Sequence, residues 1–205
     1  MARQRIQGSI GYFGLEDWWM SAFSEQERRR IEDRFKPIGD GPNPLTSGTI
    51  ASTSQTALGL LWALTTWFER QEDRPIAHKI LAKGRELANA GASVIDVHFL
   101  FGQEVDIYYK DRDQLECMDK ALRACRDQIA LAPEAAKAFR TRYRGTPLPG
   151  HRGYQQLAIV LEKQGQFADA IQLCRQALEQ GWSGDWAGRT ERCQKKLGKA
   201  AAGSP

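Results

Sequence analysis

Three histidines, His78, His98 and His151, stand on three separate segments of the chain. His98 and Glu104 are six residues apart, so they do not share a helix face as the HExxH spacing of zinc enzymes requires. A structural role is expected for each imidazole, and no metal site. The carboxylates of Glu104, Asp106, Asp111 and Asp113 crowd one stretch. They fall at a helix end and its turn, where aspartate commonly caps backbone N–H groups, so paired-carboxylate catalysis is not expected of them. The chain contains no GxxxxGK[ST], GxGxxG or GxSxG, and Gly39-Asp-Gly-Pro42 reads as a turn and not a phosphate cradle. Cys117, Cys125, Cys174 and Cys193 form no CxxC pair and read as reduced core residues. Cys117 and Cys125 would lie about 12 Å apart along one helix, too far for a bridge within it. The expectation is a protein without catalysis and without a cofactor, an enzyme with an unrecognised site being the third reading.

The elements that would position these residues belong to an ordinary globular chain. Of 205 residues, 41% are apolar and 26% charged, enough to build a core and too apolar for global disorder. No apolar run approaches the roughly 18 residues that cross a bilayer. The richest stretch, 58–68, carries Gly59 and two threonines and fits a buried helix. Met1 to Arg5 are not followed by a continuous apolar segment, so no secretory signal is read and a cytoplasmic location is the default. Net charge is +4, unevenly spread: residues 134–205 hold twelve Lys/Arg against six acids.

Apolar periodicity predicts helices almost throughout. Leu15 to Phe23 is one. Ser24 opens the next, with Glu27 at the capping-box spacing, and Pro37 ends it near Phe35. Residues 37–53 are a loop rich in glycine, proline, serine and threonine. Leu58, Leu61, Trp62, Thr65 and Phe68 recur at three and four, and a second stripe follows Pro75, which suits a first helical turn. A helix over Val94–Lys110 is apolar on most sides, as a centrally packed one would be. Another runs to Leu131 before Pro133, with a separate short helix from Glu134 to Tyr143. Two more flank Gly165, and a basic helix ends near Leu197. No strand alternation is visible. The prediction is an all-α fold of stacked antiparallel helical hairpins, with 1–53 an N-terminal helical cap and loop, 54–198 a helical-repeat region in one compact unit, and 199–205 a frayed tail.

Within 150–182, Tyr154, Leu157, Ala158 and Leu161 precede Gly165, and Phe167, Ala170, Cys174 and Ala177 follow it. This segment resembles a tetratricopeptide repeat (TPR), in which small residues let two helix backbones close and large ones fill the groove beside them. Trp182 stands where the family often has proline. Degenerate copies fit 58–90 (Leu61, Leu64, Phe68, Ala77, Leu81, Gly84) and 102–134 (Val105, Tyr108, Met118, Ala121, Cys125, Pro133). Glu72, Arg112 and Gln128 are off-pattern there. Gly153-Tyr-Gln-Gln-Leu-Ala-Ile-Val-Leu-Glu-Lys-Gln-Gly and Gly181-Trp-Ser-Gly-Asp-Trp resemble bacterial proteins that end in such a repeat.

The resemblance implies a protein-interaction module that takes a protein or peptide on a concave face. It places there Trp62, Thr66 and Arg70 from the first hairpin, Asp106 and Lys110 from the second, and Gln155, Ile159, Glu162 and Lys163 from the third. The family's Lys/Asn clamp for chaperone tails is not visible. Six tryptophans are many for this length; Trp18, Trp19, Trp182 and Trp186 would either anchor an interface or plug the ends of the core. Arg140, Arg142, Arg144 and Arg152, with Tyr143 and Tyr154 interleaved, form a basic strip. A nucleic-acid-associated role is the alternative function on that strip, and a solvated face is the plainer account. No membrane partner is expected. The leftover apolar end of a short solenoid makes a homo-oligomer conceivable.

Overall fold

A computed structural model describes residues 6–39, 41 and 43–202, the side chains of 200–202 excepted. The described chain is all-α, with ten α-helices and two very short strands. It divides into two compact units between Ala92 and Ser93. The sequence predicts a boundary at 53/54 within one compact unit.

The first unit holds α1 (Gly8–Tyr12), α2 (Glu16–Ala22), α3 (Glu25–Arg34), α4 (Ala57–Thr65), a 3-10 turn (Thr66–Phe68) and α5 (Arg74–Asn89). Ser24 and Glu27 form the expected capping box: Glu27 N–H donates to Ser24 Oγ at 3.2 Å, and Ser24 N–H to Glu27 Oε2 at 2.8 Å. Thr56 caps α4 through Gly59 N–H at 2.8 Å. The helices α4 and α5 pack as a hairpin around Leu58, Leu61, Leu64, Phe68, Ile80 and Leu81. Ion pairs fasten α3 onto α5. Arg30 and Arg34 both reach the buried carboxylate of Asp73, and Lys79 Nζ lies 2.7 Å from Glu27 Oε1. That stitching explains why the N-terminal helices and the first hairpin form one unit and the boundary falls after it.

The second unit holds α6 (Val94–Lys110), α7 (Cys117–Arg142), β1 (Leu148–Gly150), α8 (Arg152–Lys163), α9 (Phe167–Glu179), β2 (Trp182–Ser183) and α10 (Trp186–Ala202). The helix α6 packs on α7, α8 lies against both, α9 packs on α8 and α10 on α9. Its main core gathers Ala132, Ala135, Ala136, Phe139, Leu148, Tyr154, Ala158, Cys174, Ala177, Trp182 and Trp186.

Three local expectations are corrected. Pro133 does not end a helix: α7 is continuous for 26 residues, and no separate helix covers 134–143. A proline inside a helix costs about 3 kcal/mol. Here its ring faces solvent while Ala132, Ala135 and Ala136 on the other side are buried, so packing carries the helix through. Residues 148–150 and 182–183 pair as parallel strands, a contact between segments too short to show alternation. Finally, α10 continues to Ala202 past the expected tail start at 199; residues 203–205, like Asp40 and Pro42 of the expected turn, lie outside the described residues.

Candidate interaction site

The face shared by α6 and α8 is set by a missing side chain. A Cβ on Gly102 would lie 3.6 Å from Arg152 Cγ, so the arginine stem lies across α6 at that point. One turn on, Asp106 Oδ2 receives Arg152 Nε at 3.2 Å. Lys110 is exposed in the last turn of α6. On α8, Gln155, Ile159 and Lys163 recur every fourth residue and share one side; the outer two are exposed and Ile159 is half-buried. These five expected residues therefore lie in the same unit.

Glu162 has another task. Its carboxylate takes Arg189 Nη1 at 2.7 Å and Lys196 Nζ at 2.8 Å, tying α8 to α10. The hydrogen bond from Lys196 and the nearby cations hold its carboxyl below the usual range. Trp62, Thr66 and Arg70 belong to the first unit: Trp62 is half-buried on α4, Thr66 Oγ1 donates to Ala63 O at 2.7 Å, and Arg70 is exposed. Of the tryptophans expected near helix ends, Trp19, Trp182 and Trp186 are buried and fill cores.

The basic strip is not one surface of free cations. Arg140 Nη2 donates to Gln180 O at 2.6 Å, satisfying a carbonyl left open where α9 ends. Arg152 is held by Asp106. Arg142 lies over the Tyr143 ring, 5.7 Å from its centroid, with Nε donating to the phenol oxygen at 3.3 Å. Tyr154 is fully buried, which removes it as a stacking platform.

A buried polar cluster escaped sequence reasoning. Gln128 Nε2 donates to His98 O at 2.7 Å, and Gly153 N–H donates to Gln128 Oε1 at 2.6 Å, so one amide joins α6, α7 and α8. Gly153 permits it, since a Cβ there would sit 2.8 Å from Cys125 O. His151 caps α8 by accepting Tyr154 N–H on Nδ1 at 3.2 Å, which puts the proton of the neutral ring on Nε2. His98 and His151 meet edge to face at 5.1 Å, with His98 stacked on Trp182. Burial lowers the His98 pKa to about 4; burial and then the neighbouring His98 lower that of His151 to about 3. Gln128 left a trace in the sequence, as a large polar residue off the repeat pattern. The histidines, 53 positions apart in sequence, left none.

Neutral, enclosed imidazoles suit packing and capping. Among the described residues, no group of three or more His, Cys, Asp or Glu side chains is placed to hold a metal ion, and no helix is long and apolar enough to cross a membrane. Comparison with protein-family models, with curated proteins and with solved structures finds no match to this chain. What the fold defines is a class: an all-α protein whose second unit is built of packed helical hairpins.

Proposed function

We propose that the chain is a non-catalytic, TPR-like module that binds a protein or peptide, using the α6–α8 face of its second unit. The observation that carries this is the seating of Arg152 across Gly102 onto Asp106. It sets two helices side by side with Gln155, Ile159 and Lys163 along the open edge. The α8–α9 hairpin supports the repeat reading: Gly165 turns it at φ +76°, Ala158 and Ala177 are buried against its neighbours, and α8 touches both helices of the preceding pair. A half-buried aliphatic side chain bordered by exposed polar ones is the composition of an interface core with its rim. A host of bacterial origin fits the resemblance of 153–165 and 181–186.

The test is affinity capture from host extract, followed by mass spectrometry, with the wild-type chain and Ile159→Glu. Both should show the same helical circular dichroism and melting temperature, because Ile159 is not in the core. Partners enriched by the wild type should be lost on the variant. An unchanged partner set would overturn this face as the binding surface.

A further inference from the structure

Several cations of the second unit are neutralised within it. Arg189 and Lys196 share Glu162, Arg192 pairs with Asp185 at 3.1 Å, Lys195 with Glu191 at 2.6 Å and Arg152 with Asp106. Other exposed cations of the unit, Arg123, Arg126, Lys163 and Arg175, also have no ion pair among the described residues, but the end of α7 gathers four within eight residues. Lys137, Arg140, Arg142 and Arg144 are all exposed, and none makes an ion pair among the described residues. Glu134, one turn earlier, pairs with none of them. The negative end of the helix dipole favours cations here, which accounts for Arg140 and Arg142. It does not account for Arg144, which lies beyond the helix, nor for the lack of a compensating carboxylate. Tyr143, 46% exposed, sits among them.

We infer that this end of α7 is a docking site for an acidic stretch of a partner polypeptide, an inference that rests on the reading of the chain as a protein binder. Charge complementarity defines the occupant. From Lys137 to Arg142 the helix advances about 7.5 Å. Lys137, Arg140 and Arg142 lie within that length at the end of α7, with Arg144 just beyond it, so a chain carrying several carboxylates meets more than one cation at once. A nucleic-acid strand fits less well. Bases need open aromatic faces; Arg142 occupies one face of Tyr143, and Tyr154 and Trp182 are buried.

The test titrates the full chain into fluorescein-labelled decaglutamate, followed by anisotropy at about 50 mM and about 300 mM NaCl. Lys137→Ala/Arg142→Ala/Arg144→Ala leaves Arg140 in place to close α9. Arg123→Ala/Arg175→Ala/Lys199→Ala removes equal charge elsewhere from exposed positions. The expected result is binding at low salt that weakens at least about tenfold in the first variant and little in the second. Equal weakening in both, no binding at low salt, or tighter binding of a (dT)10 strand lost in the first variant would overturn the inference. Self-association that disappears in the first variant by sedimentation velocity would overturn it too, assigning the surface to a second copy. Partner capture is read on Ile159→Glu and glutamate binding on the α7 variant, so the two readings can fail separately.

Discussion

Trp182 stacks on His98 with ring centroids 4.9 Å apart and planes within 5° of parallel. The residue standing where the repeat family often has proline thus closes the core over a buried imidazole. Phe139 and His151 pack edge-on against the same indole, at 6.0 and 4.7 Å. Burial is the largest cause of both imidazole shifts, and His98 lowers His151 further.

This arrangement makes stability depend on pH above the carboxylate range. Both folded pKa values lie below the unfolded value near 6.5. The unfolded chain therefore binds more protons as pH falls through 6.5, and stability drops with it. Stability from the neutral rings is full above about pH 7. By pH 5 each ring should have cost on the order of 2 kcal/mol. Urea midpoints at pH 7.5 and pH 5 measure the loss, and His98→Phe should remove a large part of the slope. A wild-type midpoint flat over that interval would show that the rings are not enclosed.

Ala170 is fully buried, grouped with Ile171 and with Cys193 of α10, and Leu161 and Phe167 pack against it; Ala158 instead lies with Cys174 and Ala177. Ala158 and Ala170 thus belong to different clusters of the core. Ala170→Arg should still cost several kcal/mol by overpacking and burying an unpaired charge. Ala168→Arg, exposed on the same helix, should leave the melting temperature within a degree or two. Equal effects from both would mean that α9 is seated otherwise.

Legibility in the sequence followed the range of the forces involved. Ser24 with Glu27 is a bond between neighbours, and its capping box was readable. The helix Val94–Lys110 was readable too, being one long apolar pattern with a turn after it. Pro133 misled because local sterics forecast a break, whereas packing of Ala132, Ala135 and Ala136 decided it. Glu162 was placed on a binding face because helical spacing says which residues share a side and not what lies opposite; α10 lies there. The strand pair and the stacking of His98 on Trp182 depend on residues tens of positions apart, beyond any window of periodicity.

The Asp73 cluster should respond unequally to its two halves. Asp73 is fully buried, whereas the Arg30 side chain is 43% exposed and that of Arg34 30%. Asp73→Asn leaves two arginines that water can still reach. Arg30→Ala/Arg34→Ala leaves a buried carboxylate with neither guanidinium, the costlier outcome. Thermal unfolding should rank the double variant below Asp73→Asn by at least about 1 kcal/mol. The reverse order would show that the carboxylate is hydrated in solution.

Gln128 offers the most specific test of how the second unit is joined. Its amide donates to His98 O and accepts from Gly153 N–H, both buried, so one side chain of α7 bonds to α6 and to α8. Gln128→Leu keeps most of the volume but strands a carbonyl and an N–H, each costing about 1–3 kcal/mol. Gln128→Glu separates the two bonds. An ionised carboxylate still accepts from Gly153 but faces the His98 carbonyl with no proton to give. A protonated one donates there and restores both contacts, so burial should raise the pKa of this glutamate. The deficit of Gln128→Glu relative to wild type should then shrink as pH falls from about 8 to about 5.5, while that of Gln128→Leu stays level. Paired urea melts at the two pH values read the difference directly, because the histidine slope is common to all three proteins. A glutamate deficit that does not move with pH would falsify the bridge, since only a donor to His98 O makes the proton matter.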